Sequence, residues 1–281
     1  MEKVGVVGLG RMGSAAALRL FQQGVEVRGW TRSGKTLNDV QTMPDLGSLV
    51  DASDTLILSL FDNEAVAEVL QKLLEFDLDG KLIVETSTVI PGILRDRIGA
   101  IEDAGACAVD APIAGGPDLV VAGKCGFFIG GDEASAERAG VVLGAITERV
   151  LHVGPLGAGL IMKAINNSMI QAYLAALYDL MPLAKRGGLS LEAALRILSG
   201  GPASMPLIAN RIPKIVGTDP EVDFALSAAF KDNEVIQQIM ESFDLSSPVL
   251  ANFGSLKQVV ADADMLEEDP ASLIRIAYER G

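Results

Sequence analysis

Val4-Gly5-Val6-Val7-Gly8-Leu9-Gly10-Arg11-Met12-Gly13 is the stretch that decides the fold. Val4 to Val7 is a short continuous apolar run, the pattern of a buried strand. G-x-G-x-x-G follows it directly, and residues 12–23 then read as a helix. In that setting each glycine has a steric role. Gly8 permits a tight turn, Gly10 lets a pyrophosphate approach the backbone, and Gly13 lets helix and strand pack closely. The helix N-terminus adds free N–H groups and the positive end of a dipole, both suited to phosphate. The motif alone says little in a chain with 30 glycines. Between a strand and a helix, at the start of a βαβ unit, it predicts a dinucleotide site, with a bare strand-to-helix turn as the competing reading.

Outward from this unit the first half keeps alternating. Residues 25–30, 55–60, 82–85, 106–110 and 127–129 read as strands, and residues 64–74, 91–104 and 134–143 as helices. That alternation predicts a mostly parallel sheet. Residues 34–54 are short for another full helix and strand, so an abbreviated sheet is expected there. Beyond Gly154 the strand-like runs stop. Residues 160–186, 191–198, 206–215, 226–242 and 249–261 read as helices, the first with Pro182 near its end or kinking it. The expected fold class is α/β: an N-terminal Rossmann dinucleotide-binding domain over residues 1–154, then an all-α domain over 155–281. The length and apolar character of the first helix suggest packing on the N-terminal domain and on a second subunit.

The 281 residues carry 37 acidic and 23 basic side chains, a formal net charge of −14. No basic excess exists to neutralise phosphates or anionic headgroups, so nucleic-acid and membrane-surface partners are not expected. No stretch of about 20 residues is apolar enough to span a bilayer. The most apolar region, residues 160–184, includes Lys163, Asn166, Asn167 and Asp179. Two cysteines, Cys107 and Cys125, fit a reducing cytoplasm and not a disulfide scaffold. His152 is the only histidine, so a structural zinc site lacks ligands and no metal is expected. A strand pattern begins at Val4, and no signal peptide is expected.

The end of the second strand bears on which dinucleotide binds. NAD sites place an acid there for the ribose 2′-OH. This chain reads Gly29-Trp30-Thr31-Arg32-Ser33, with no acid. Arg32 offers a planar cation to a 2′-phosphate, and Thr31 and Ser33 offer hydroxyls, so NADP is favoured over NAD.

A second stretch, Gly157-Ala158-Gly159-Leu160-Ile161-Met162-Lys163-Ala164-Ile165-Asn166-Asn167, puts Lys163 and Asn167 on one helix face among apolar neighbours. Such a lysine either snorkels to water or is held in a site, and spacing leaves both open. Burial would lower its pKa toward the range useful for proton exchange. Carbonyl reduction by hydride needs a group to protonate the oxygen. His152 lies in the apolar run 150–153 and reads as structural. None of Tyr173, Tyr178 and Tyr278 has a lysine four residues later. Lys163 is the acid/base candidate that remains. Asp110-Ala111-Pro112-Ile113-Ala114-Gly115-Gly116-Pro117 follows a strand, and its small residues leave main-chain N–H groups able to hold a carboxylate; a plain loop is the alternative. Phe230-Lys231-Asp232 alone is an ordinary charged helix face.

Together these stretches resemble the β-hydroxyacid dehydrogenase family, whose members include 3-hydroxyisobutyrate dehydrogenase and the glyoxylate/succinic semialdehyde reductases. The resemblance spans nearly the whole chain. The opening loop is similar to G-L-G-x-M-G, and Trp30-Thr31-Arg32-Ser33 to the N-R-S/T ending of NADP-using members, with Thr31 in place of Asn. Leu58-Ser59-Leu60-Phe61-Asp62 resembles the loop along the cofactor, and Ser87-Thr88-Val89 the turn near the nicotinamide. Residues 110–116 resemble D-A-P-V-S-G-G, residues 157–167 G-x-G-x-x-x-K-x-x-N-N, and Lys231-Asp232 a late K-D pair.

The resemblance implies an NADP-dependent oxidoreductase interconverting a small hydroxyacid and its semialdehyde or keto partner, with Lys163 as acid/base and Asn167 orienting the substrate. It implies cofactor contacts at Gly8, Leu9, Gly10, Arg11, Met12, Thr31, Arg32, Ser33, Leu60, Phe61, Thr88 and Lys231. It implies substrate contacts, to a carboxylate, at Ala114, Gly115, Gly116, Asn167 and Asp232, in a homodimer or higher homo-oligomer. One departure is Ala114, where the family has Ser; a lost hydrogen bond to a charged group is worth on the order of 1.5–3 kcal/mol. The larger 6-phosphogluconate dehydrogenase carries K-x-x-H-N where this chain has Lys163 to Asn167, which argues against that enzyme. An imine reductase-like enzyme, disfavoured by Lys163, and a non-catalytic dinucleotide sensor are the alternatives.

Overall fold

The computed structural model describes residues 2–281. In chain order the elements are β1 (Val4–Val7), α1 (Arg11–Gln22), β2 (Val27–Trp30), β3 (Gln41–Thr42), α2 (Leu46–Asp51), β4 (Thr55–Leu58), α3 (Asn63–Leu73), β5 (Leu82–Glu85), α4 (Gly92–Arg95), α5 (Ile98–Asp103), β6 (Cys107–Asp110), β7 (Ile113–Ala114), α6 (Pro117–Val121), β8 (Gly126–Gly130), α7 (Glu133–Gly144) and β9 (Val150–Gly154). Six helices follow: α8 (Ala158–Arg186), α9 (Leu191–Ser199), α10 (Pro206–Ile215), α11 (Leu226–Glu241), α12 (Pro248–Asp262) and α13 (Ala271–Arg280).

The sheet runs β3-β2-β1-β4-β5-β6-β8-β7, with β9 on β8. It is parallel from β3 to β6; β8 is antiparallel to β6 and β7, and β9 is parallel to β8. Successive side chains enter two different cores. Val6, Ile57, Val84 and Val109 belong to one, and Val7, Leu58, Ile83 and Ala108 to the other. Such strands are covered on both faces, which is why they read as unbroken apolar runs. Trp30, Val7, Leu58, Glu85 and Asp110 stand in one row across β2, β1, β4, β5 and β6. Five loops therefore leave the sheet from the same C-terminal edge. The chain order reverses at β1, which lies between β2 and β4, and α/β sheets take ligands at such a switch point.

Residues 34–54 do hold a strand and a helix, but of two and six residues, β3 and α2. The helix expected over 91–104 is two short ones, α4 and α5. The loop read over residues 110–117 contains β7, and α6, which begins at Pro117, was not expected. Pro182 lies inside α8, about one turn before its end at Arg186, near the end as expected. Neither β9 nor the C-terminal α13 was expected.

The chain divides into two compact units, the first ending at Asn166 and the second running from Asn167 to Gly281. The division lies inside α8, later than the 154/155 boundary read from sequence. The reason is local: Leu160 joins the second sheet core, and main-chain N–H groups of Gly157 and Leu160 bond to Asp110. Unit 2 has its own core, built from Leu174 and Leu177 of α8, Leu195, Ile212, Ile274 and the tilted pair Phe230–Phe253, whose ring centroids are 5.2 Å apart.

Candidate active site

Unit 1 carries the glycine turn. Gly8 has φ +97°, and a Cβ there would lie 2.2 Å from Ser59 O; a Cβ on Gly13 would lie 1.9 Å from Gly8 O. Both glycines are required by close main-chain approach. Gly10 is different: a Cβ there would meet nothing within 4 Å. It opens α1 with no side-chain cap. Open space above uncapped N–H groups fits a dinucleotide's diphosphate. Leu9 is buried, so only its main chain can reach a ligand. Arg11 is exposed, and Met12 packs against the first core.

Sequence reasoning missed Lys35. Its Nζ donates to Leu9 O at 2.9 Å and to Ser14 Oγ at 3.2 Å, beside the glycine turn. Its signal was a second cation just after Thr31-Arg32-Ser33. The Arg32 side chain is 79% exposed and pairs with Glu68 of α3 at 3.2 Å. Thr31 is half-buried and Ser33 exposed.

The loops after β4 and β5 are tied together. Leu60 N–H donates to Ser87 Oγ at 2.8 Å, Ser87 N–H to Glu85 Oε1 at 2.6 Å, and Thr86 Oγ1 to Leu58 O at 2.6 Å. These bonds hold half-buried Thr88 beside the Leu60 loop, from which Phe61 projects, exposed.

Lys163 is 9% exposed, and its Nζ donates to Ile113 O at 2.6 Å. The amine is held inside the protein, on a carbonyl of β7, and does not snorkel. Next to that carbonyl, Ala114 is half-buried and pairs with Gly126 of β8; Gly115 is exposed with φ +139°, and Gly116 precedes α6. The same segment begins at Asp110, fully buried, whose carboxylate accepts from Gly157 N–H at 2.5 Å and Leu160 N–H at 2.7 Å. Burial pushes its carboxyl up to about 6, against the two N–H bonds that favour the charge.

Unit 2 brings together Asn167, Lys231 and Asp232. Asn167 Nδ2 donates to Asp232 Oδ2 at 3.0 Å, and Lys231 Nζ lies 2.9 Å from Asp232 Oδ1. A buried amide network, also missed from sequence, braces this group. Gln171 Nε2 donates to Ala229 O at 3.3 Å, and Asn233 Nδ2 donates to Gln171 Oε1 at 2.8 Å and to Leu250 O at 3.1 Å. A readable signal existed, since Lys163, Asn167 and Gln171 recur every four residues along α8. His152 lies with Nε2 2.9 Å from Gly131 O and 3.0 Å from Gly154 O, a main-chain tie of β9. Among the described residues no group of His, Cys, Asp or Glu side chains is placed to hold a metal ion, and no helix is long and apolar enough to cross a membrane.

A doubly wound sheet whose switch point carries this glycine turn defines a Rossmann dinucleotide-binding domain, here followed by a helical unit. Comparison with known proteins agrees. Residues 3–154 match the family described as the NAD binding domain of 6-phosphogluconate dehydrogenase, and residues 157–277 that described as NAD-binding of NADP-dependent 3-hydroxyisobutyrate dehydrogenase. Similar proteins include a probable 3-hydroxyisobutyrate dehydrogenase of Mycobacterium tuberculosis, 28% identical over 71% of this chain and 70% of that one. L-threonate dehydrogenase of Cupriavidus necator is 26% identical over 98% and 96%. The solved structure of 3-hydroxyisobutyrate dehydrogenase of Mycobacterium tuberculosis with L-serine shares the fold, with TM-score 0.88, 24% identity and coverage of 98% and 99%. The chain belongs to the β-hydroxyacid dehydrogenase family and is an NAD(P)-dependent oxidoreductase.

Proposed function

We propose that the protein interconverts a small hydroxyacid and its semialdehyde or keto partner, with NADP as cofactor and Lys163 as general acid/base. The observation that carries this reading is the buried Lys163 amine, fixed on Ile113 O beside the Ala114-Gly115-Gly116 loop. The bound dinucleotide supplies or accepts the hydride. Lys163 gives a proton to the carbonyl oxygen in reduction and takes it from the hydroxyl in oxidation, so that charge does not accumulate on that oxygen. Gly115 and Gly116 offer main-chain N–H groups to the substrate carboxylate, a role Ala114 lacks a hydroxyl to share. Asn167, held by Asp232, orients the substrate, and Lys231 serves the cofactor. Arg32 and Lys35, with Thr31 and Ser33, are the cations and hydroxyls that a 2′-phosphate would take, and no acid in that turn competes for a 2′-OH. Two free cysteines accord with the cytoplasm. Met169, Leu180 and Leu183, each more than half exposed on α8, support a homo-oligomer built on that helix.

The test is NADPH oxidation against a panel of semialdehydes and 2-keto acids, by wild type and Lys163→Ala. Turnover is expected to fall about 10²–10⁴-fold in the variant, with dinucleotide affinity kept. Full turnover by Lys163→Ala overturns the mechanism. Tight NADPH binding by wild type with no turnover on any carbonyl favours a sensor.

A further inference from the structure

Asp110 is completely buried at the end of β6, and a buried carboxylate must find donors. It finds them far along the chain, in Gly157 N–H and Leu160 N–H at the start of α8. Helix starts favour negative charge, because their first N–H groups have no intrahelical partner. Two glycines make the room. A Cβ on Gly130 would lie 2.4 Å from Asp110 Oδ1, and one on Gly159 2.8 Å from Oδ2. Three residues beyond Asp110, and three beyond Leu160, the two segments meet again where Lys163 Nζ donates to Ile113 O. The start of α8 and the loop after β6 are thus pinned at two points, and the second pin is the amine itself.

We infer that Asp110 is a positioning residue: its carboxylate fixes the rotation and depth of the first turn of α8 and thereby holds Lys163 Nζ beside the Ala114-Gly115-Gly116 loop. This inference rests on the role given to Lys163 above. A fold that needed only a cap could use a neutral Ser or Asn. Instead the chain keeps a charge whose burial costs stability, as its carboxyl pKa of about 6 shows. Arg95 of α4, whose Nε donates to Leu156 O at 2.8 Å, draws that pKa back down. Glu85 is the register partner on β5, Lys163 is the cation in the first two turns of α8, and β8 brings Gly130 to the carboxylate. Below pH 6 the folded carboxyl takes up a proton, and one oxygen ceases to accept.

The experiment compares full-length wild type, Asp110→Asn and Lys163→Ala for kcat and KM from pH 5 to 9, for dinucleotide affinity by fluorescence titration, and for thermal unfolding. In Asp110→Asn, kcat at pH 8 is expected to fall about tenfold or more, the scale of a small misplacement of a reacting group. Dinucleotide affinity stays, while Tm at pH 8 falls by a few degrees, because one of the two buried N–H donors now faces an amide NH2 and loses its acceptor. The wild-type kcat falls as pH drops through about 6, and the variant lacks this limb. Should the variant fail to fold, Asp110→Ser, which keeps one neutral acceptor, replaces it in the same comparison. A variant with wild-type kcat, a parallel loss of Tm and affinity, or a wild-type profile without that limb overturns it. Full turnover by Lys163→Ala defeats the reading of Lys163; an inactive Lys163→Ala beside an unaltered Asp110→Asn defeats this inference alone.

Discussion

In the reading proposed above, the glycine turn of unit 1 offers a ligand main-chain atoms, placed by side chains that are missing. Gly8 and Gly13 touch neighbouring backbone where a Cβ would stand, and Gly10 leaves space. In unit 2 that reading draws on side-chain atoms, and other side chains place them. Asn167 is held by Asp232, and α11 is keyed to α8 through Gln171 and Asn233. The first device is sensitive to atoms added, the second to atoms removed. The first is also contiguous in sequence, whereas the second joins residues more than sixty positions apart.

The sharpest break of this contrast comes from adding one methyl group at two positions of the turn. Gly13→Ala drives a Cβ into Gly8 O, a main-chain atom that cannot swing aside, and is expected to cost about 3 kcal/mol or more of stability. Gly10→Ala meets nothing in the protein, so its Tm should match wild type while dinucleotide affinity drops about tenfold. Thermal unfolding beside fluorescence titration separates the two. Equal losses of stability at both positions would abolish the distinction drawn between packing and ligand-facing glycines.

Atom removal is the corresponding test in unit 2. Asn233 is 1% exposed, and its amide also accepts from Gln237 Nε2 at 2.6 Å. Asn233→Leu strips partners from Gln171, Leu250 and Gln237 together, with an expected loss of about 2–3 kcal/mol by denaturant unfolding. Adding Gln171→Leu removes a stranded acceptor as well, so the double variant should lose less than the sum of the singles. Simple additivity would mean that the two amides do not act as one brace.

The same contrast explains what could be read from the sequence. The strands of unit 1 are short apolar runs ended by turn residues, and the glycine turn is a local motif; both were legible. β7 and α6 were not, being too short to show a period, and β9 turns Leu151 outward, 57% exposed, so that its apolar letters do not mark a core. Lys163 shows the limit best. Its neighbour Ile165 is 51% exposed while the lysine is buried, the reverse of what residue type suggests. Which face of α8 turns inward is set by the bonds from Asp110 to Gly157 and Leu160, a pairing across 47 and 50 residues that no window of sequence contains. Lys35 escaped because only folding brings its amine to Leu9 O.

The smallest effect is expected where the two devices meet in one place, at the turn after β2. There a main-chain turn presents a side chain, Arg32, that is engaged by Glu68. Glu68 is also bound by Lys72 at 2.8 Å, and Lys72 first, then Arg32, hold its carboxyl below the ordinary range. In the NADP reading proposed above, a 2′-phosphate competes with a carboxylate for the guanidinium, whereas a 2′-OH has no such competitor to displace. Glu68→Gln removes the competing charge but keeps the helix position. The KM for NADP should fall by at most about fivefold, since exposed pairs are weak, and the KM for NAD should stay constant. The NADP effect should shrink in 0.5 M salt, where the Debye length is about 4 Å. An equal change for both dinucleotides would place Arg32 away from the 2′ position and leave Lys35 as the cation of that pocket.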